Sequence, residues 1–137
     1  MNQSLQALLN ELEEFGCNND QAISERSRRM LNITRDTGEF LSVIVQAANA
    51  RRILEIGTSN GYSTLWLAFA TQAIDGRVTT VELSEEKVAM AVKNFNRSGL
   101  ADFITQLAVN ATEYIEAESD SSFDLIFLDS ERSEYPA

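Results

Sequence analysis

The run Ile53–Ala68 (ILEIGTSNGYSTLWLA), followed by Arg77–Ser84 (RVTTVELS), constrains this chain most. A short apolar segment meets a turn bracketed by Gly57 and Gly61. A long apolar stretch follows, then a β-branched run that ends in an acid. This reads as strand, turn, helix and strand. Strands alternating with helices require a parallel sheet with right-handed crossovers. Asp75-Gly76 marks the turn before the second strand. Ser84 is a good N-cap, Glu85 and Glu86 suit the first turn of the helix after it, and Gly99 stops that helix near Arg97. Phe103–Val109 and Phe123–Asp129 read as third and fourth strands, with a short helix over Ala111–Glu118. The expected fold is a doubly wound α/β domain.

The N-terminal third is helical in pattern. Leu5, Leu8, Leu9, Leu12 and Phe15 recur at helical spacing, which predicts a helix over Asn2–Phe15 ended by Gly16. The run CNNDQ then reads as a turn. A second helix is expected over Ala22–Leu31, with Ile23 and Met30 inward and Arg26, Arg28 and Arg29 solvated. Thr34 can cap a third helix, Arg35–Ala48, whose apolar face is Phe40, Leu41, Ile44, Val45 and Ala48. These helices are expected to pack on one face of the sheet or over a ligand mouth. The organisation expected is one domain over 1–137, with a helical extension at 1–33 and the α/β core at 34–137.

Charge and residue usage exclude several classes of function. Eleven basic residues face 21 acidic ones, a net charge of −10. Such a surface repels phosphate backbones and anionic lipid, so neither nucleic acid nor a membrane is an expected partner. Histidine is absent, which removes His-based zinc sites and His general bases. Cys17 is the one cysteine, so no intramolecular disulfide forms. The N-terminus lacks a basic n-region and a long apolar run, and the expected location is cytoplasmic.

The turn and the acid carry the chemistry. Glycine at 57 and 61 lets backbone approach a ligand closely, and the amides opening the next helix point at whatever binds there. A dinucleotide site needs G-x-G-x-x-G, whereas the spacing here is G-x-x-x-G, which suits S-adenosylmethionine better than a pyrophosphate. The same amides, with Ser63, can hold an amino-acid carboxylate; the alternative is an ordinary strand–helix turn. Glu82 ends the second strand 25 residues after Gly57, near the spacing at which an acid reaches ribose hydroxyls. Its alternative role is a helix-flanking acid beside Ser84. Asp129, at the end of the fourth strand, can bind a hard cation or cap the next segment. One carboxylate alone does not make a competent Mg²⁺ site.

Four segments together, TRDTGEFL (Thr34–Leu41), ARRILEIGTSNGYSTLWLA (Ala50–Ala68), VELS (Val81–Ser84) and FDLIFLDSERSEY (Phe123–Tyr135), resemble the cation-dependent class I O-methyltransferases. That family includes catechol and caffeoyl-CoA O-methyltransferases. The resemblance implies a Rossmann-like parallel sheet and a cofactor, S-adenosylmethionine. Carried over by position, Ile33 and Thr34 would line the cofactor's amino-acid end. Glu55 and Gly57 would flank the methionine moiety, and Ser63 would bind its carboxylate. Thr58, Ser59, Gly61 and Tyr62 complete the implied loop. Glu82, with Leu83 beside it, would hold the ribose. Asn110 and Ala111 would meet the adenine edge. Asp129 would contact the cofactor's amino group or serve as the first of three ligands to a divalent cation such as Mg²⁺.

Two departures from the family pattern matter. The family usually has lysine three residues after that aspartate; here Arg132 occupies the position. Arginine stays protonated, so it cannot act as a general base, although it can pair with an anionic substrate or with Glu131 or Glu134. Arg132 and Asp129 are nevertheless the implied catalytic positions. The family's other two metal ligands follow a further strand that this sequence does not contain. Three readings are therefore carried forward. One is an S-adenosylmethionine-dependent O-methyltransferase of a small hydroxylated acceptor, phenols among the candidates, present as a shortened chain. The second is a non-catalytic module that binds S-adenosylmethionine or S-adenosylhomocysteine. The third is an NAD-binding domain. The open edge of the fourth strand (LIFL) is apolar, and a second copy is expected to cover it in a homodimer.

Overall fold

Four short strands pair in parallel in the computed structural model, which describes residues 1–22, 33–117 and 123–128. They are β1 (Arg52–Ile56), β2 (Arg77–Val81), β3 (Ile104–Leu107) and β4 (Leu125–Leu128), in the order β3-β2-β1-β4. Their neighbours in sequence are helices α1 (Gln3–Ala22), α2 (Arg35–Ala47), α3 (Tyr62–Ala73), α4 (Glu85–Ser98) and α5 (Ala111–Ala117). A single 3₁₀ turn, Ala101–Phe103, leads into β3. The alternation expected of a parallel α/β sheet is present. β1 lies between β2 and β4 and is buried from Ile53 onward, as its apolar run requires.

Side-chain alternation divides the core into two layers. Ile53 and Val78 point to the layer filled by α1, α2, α3 and α4, where Leu9, Val45, Leu65, Leu67 and Phe95 are buried. Leu54, Ile56 and Val81 point to the opposite layer, under α5, with Ala111, Tyr114, Ile115 and Phe123. β4 alternates in the same way. Leu125 and Phe127 pack on the larger layer, while Ile126 and Leu128 are 55% and 52% exposed. β4 pairs with β1 on one side and has no strand partner on its other edge among the described residues.

The N-terminal helix differs from its expected extent. It continues through Gly16 and the CNND run to Ala22, where a stop and a turn were expected. Leu5, Leu8, Leu9 and Leu12 all enter the core, and that burial outweighs the cost of about 1 kcal/mol for one helical glycine. The helix expected over Ala22–Leu31 falls mostly outside the described residues. α2 matches its expected span, and Thr34 caps it by accepting from the Thr37 amide at 3.2 Å. Its buried face is Gly38, Leu41, Ser42 and Val45. Phe40, expected inward, is 62% exposed, and Ala48 is exposed as well. Gly38 sets that rotation. A Cβ there would come within 2.5 Å of the Trp66 indole, so α2 lies on α3 at its glycine rather than at its phenylalanine.

The N-terminal ends of β1 and β4 are tied by one residue. Asp124 Oδ2 accepts from the amides of Arg51 and Arg52 at 3.2 and 3.1 Å, and Oδ1 accepts from the Arg52 guanidinium at 3.0 Å. The Asp124 amide donates to the Arg52 carbonyl at 2.7 Å. The Arg52 guanidinium, then its amide, hold the Asp124 carboxyl below the usual aspartate range. A depressed native pKa contributes stability above the unfolded-state value of about 3.9 and loses it as pH falls through the native value. Asp124→Ala should therefore lower the thermal midpoint at pH 7. The gap to the unaltered chain should narrow as pH falls below the unfolded-state value of about 3.9 and through the lower native one. Melts followed by circular dichroism across that range check it, and a pH-independent gap contradicts it.

Candidate functional site at the β1–α3 loop

The site begins with a buried acid. Glu55 is in register with Thr80 on the neighbouring strand, and both are 0% exposed. The first turn of α3 brings Ser63 and Thr64 over the same spot. Glu55 accepts from the Ser63 hydroxyl at 2.5 Å, from the Thr80 hydroxyl at 2.8 Å, and from the Thr64 hydroxyl. A carboxyl taken out of water needs several donors of this kind, and the sequence supplies three from two elements. Thr80 is in turn 2.6 Å from the Thr58 hydroxyl in the loop above.

That loop, residues 57–61, has three left-handed positions. Gly57 has φ 99°, Ser59 φ 52° and Gly61 φ 92°. Gly61 is required twice over, since a Cβ would strain the backbone and come 2.6 Å from the Phe95 ring. The Gly57 amide donates to the Val81 carbonyl at 2.9 Å, and Asn94 Nδ2 donates to the Asn60 carbonyl at 2.8 Å. Glu82 closes the far side. Its Oε1 accepts from the Ser59 amide at 2.8 Å and its Oε2 from the Ser84 amide at 3.1 Å. The helix-flanking role expected of Glu82 beside Ser84 is present, and the same carboxyl group also holds the loop.

The expected site residues divide into two sets. Glu55, Gly57, Thr58, Ser59, Gly61, Tyr62, Ser63 and Glu82 converge on this loop, at the carboxyl ends of β1 and β2 where α/β sheets bind ligands. Leu83 follows as an exposed apolar side chain. No hydrogen bond joins the others to the loop among the described residues. Thr34 caps α2, and Ile33 packs against the core. Asn110 caps α5, with Oδ1 accepting from the Glu113 amide at 3.1 Å, and Ala111, the first residue of that helix, is buried with Leu54, Ile56 and Val81. Asp129 and Arg132 lie outside the described residues. Among the described residues, no three acidic or sulfur side chains converge to hold a metal ion.

The donor set suits a polar ligand with an anionic end. The amides of Ser63 and Thr64 are first-turn groups without intrahelical partners. Asn60 Nδ2 is buried with no partner among the described residues. Each Glu82 oxygen accepts one amide here and has a second lone pair for a hydroxyl. The Ser63 hydroxyl proton is given to Glu55, so donation to a carboxylate falls to backbone. Nearby, burial pushes the Tyr62 phenol up. Sequence reasoning passed over Thr64, Thr80 and Asn94. Thr80 was within reach, because it lies two positions before Glu82 and so on the same side of the strand. At the opposite, N-terminal end of the strands, an open depression of about 890 Å³ is lined by Arg51, Arg52, Arg77, Asp75, Asp102 and Asp124 among others. These three arginines and three aspartates leave it without a dominant sign of charge.

An O-methyltransferase family model matches residues 2–137. The chain belongs to this O-methyltransferase family. It is 32% identical over 117 residues to a catechol O-methyltransferase of Niastella koreensis, covering 83% of this chain and 52% of the relative. It is 35% identical over 100 residues to a catechol O-methyltransferase of Mycobacterium tuberculosis, covering 73% and 45%. Among solved structures, an O-methyltransferase from Bacillus cereus in complex with SAH aligns with a TM-score of 0.70 at 35% identity, over 90% of this chain and 54% of that one. The O-methyltransferase TomG from Streptomyces achromogenes, in complex with SAM, aligns at 0.69 and 26% identity, over 95% and 54%. The chain spans about half the length of the family members it matches.

Two stability effects follow from this packing. Glu55→Ala leaves three buried hydroxyls without their acceptor and should cost about 2–4 kcal/mol in urea unfolding. Gly61→Ala combines a left-handed φ with a backbone-borne contact on Phe95 and should cost about 2–3 kcal/mol by the same measurement. A loss under 0.5 kcal/mol at either position contradicts the arrangement described.

Proposed function

We propose that this chain forms the cofactor-binding part of an S-adenosylmethionine-dependent O-methyltransferase whose acceptor is a small hydroxylated molecule of phenolic type. The observation that carries the reading is Glu82. It grips the loop through the Ser59 amide and keeps lone pairs for vicinal hydroxyls at the mouth of the site. Ribose presents two such hydroxyls. The first-turn amides of α3 are placed for the amino-acid carboxylate, and the exposed Leu83 side chain offers an apolar surface to the adenine ring. Ile33, Thr34, Asn110 and Ala111 keep their roles in the proposal as outer walls. When bound, the cofactor supplies an electrophilic methyl group on a sulfonium. The chain's own part is to orient that group so that an acceptor oxygen can approach in line.

Asp129 is proposed as a cofactor or cation contact, with Arg132 beside it. The described donors do not amount to a divalent-cation site, and no step is routed through one. Two of the aligned structures, in complex with SAH and with SAM, support the nucleoside reading. The catechol names of two relatives support the phenolic acceptor. No described helix is long and apolar enough to cross a membrane. A cytoplasmic location and a homodimer covering the free β4 edge belong to the same proposal, and light scattering tests the latter.

Calorimetry with S-adenosylmethionine, S-adenosylhomocysteine and NAD in parallel tests the core of it. The two nucleosides should give heat and NAD none. Glu82→Ala should weaken S-adenosylhomocysteine at least tenfold. A folded chain giving no heat with near-millimolar S-adenosylhomocysteine overturns the reading. Methyl transfer to a catechol panel with Mg²⁺ then separates an active enzyme from a module that binds the cofactor without turnover.

A further inference from the structure

We propose that Thr80 is a positioning residue for the ligand loop, acting through Thr58 and Glu55. The proposal rests on the cofactor reading above and adds how the sheet fixes the loop's shape. The hydroxyl count dictates the direction of the chain. Thr80 has one O–H, and it is donated to Glu55 at 2.8 Å. In the 2.6 Å contact between Thr58 and Thr80, Thr58 must therefore be the donor. A proton path runs from the loop, through β2, to the acid on β1, and all three side chains are at most 1% exposed.

The path ends where the loop is most constrained. Ser59, next to Thr58, holds φ 52° without being glycine, a conformation that persists only when its surroundings enforce it. Its amide is the one that Glu82 grips. Thr80 lies near the end of β2, and Glu82 follows just past that end. This one stretch of chain thus holds consecutive loop residues by two different bonds, Thr58 by its side chain and Ser59 by its backbone. Removing the Thr80 hydroxyl takes an acceptor from Thr58 and a donor from Glu55, at a place closed to bulk solvent. The Ser59 amide, and with it the Glu82 carboxyl that faces the ribose, then loses its fixed place.

The test compares shape with chemistry at the same position. Thr80→Val keeps the volume and loses the hydroxyl; Thr80→Ser keeps the hydroxyl and loses the methyl. Affinity for S-adenosylhomocysteine is read by calorimetry on the full chain, with urea unfolding alongside. Thr80→Ser should bind within about twofold of the unaltered chain, and Thr80→Val about tenfold more weakly. A role in packing alone gives the reverse order or no difference, and either result overturns the proposal. If Thr80→Val does not fold, Thr58→Val decides. It leaves all three donors on Glu55 and removes only the link to the loop. Binding several-fold weaker supports the proposal, and unchanged binding overturns it. No binding by the unaltered chain removes the cofactor reading and this proposal together. Equal binding by the unaltered chain and Thr80→Val removes this proposal alone.

Discussion

The fold turns on a single buried carboxyl. Glu55 lies in the middle of the sheet at 0% exposure, where an acid without partners would cost a large part of the fold's stability. Three hydroxyls remove that penalty, and they come from the neighbouring strand and from the helix that follows. The acid therefore specifies which strand lies beside β1, in what register, and how the first turn of α3 is placed over it. An apolar residue at 55 would fill the space and specify none of these. The polar group gives one arrangement in exchange for a narrow tolerance to change.

Above this acid the loop is shaped by oxygen atoms on β2 rather than by apolar packing. Thr80 takes the Thr58 side chain, Val81 takes the Gly57 amide through its carbonyl, and Glu82 takes the Ser59 amide. Three successive residues, at the end of β2 and just past it, thus hold three successive residues of the loop. The apolar contribution comes from one point, the Phe95 ring against Gly61. Such a loop can have tight geometry and still present polar groups to a ligand, because its holding bonds face down into the protein.

The α/β alternation was legible in the sequence because strands and helices here carry strong periodicity and clear punctuation. Ser84, Gly99, Thr34 and Asp75-Gly76 all act as their residue types suggest. Gly16 misled because a glycine's local cost is small beside the burial of four leucines on the same helix. Phe40 misled because periodicity gives the stripe and not its rotation; the close approach of Gly38 to Trp66 fixed that, and no local rule shows it. The strand ends shifted by one or two residues where side chains take other work, as Asp124 does in tying β4 to β1. At the site, the glycines and Glu82 were visible as motif residues. Thr80 and Thr64 were not, because their part depends on register between strands and on a helix turn laid over them.

The placement of β4 carries a further consequence. It is held by its ladder to β1, by Leu125 and Phe127 on one side, and by Asp124 at its start, while Ile126 and Leu128 face outward. Every anchor of the loop described above runs instead to β2, to Glu82 just past it, or to α4. Fraying that begins at the β4 margin therefore leaves the atoms that hold the loop where they are.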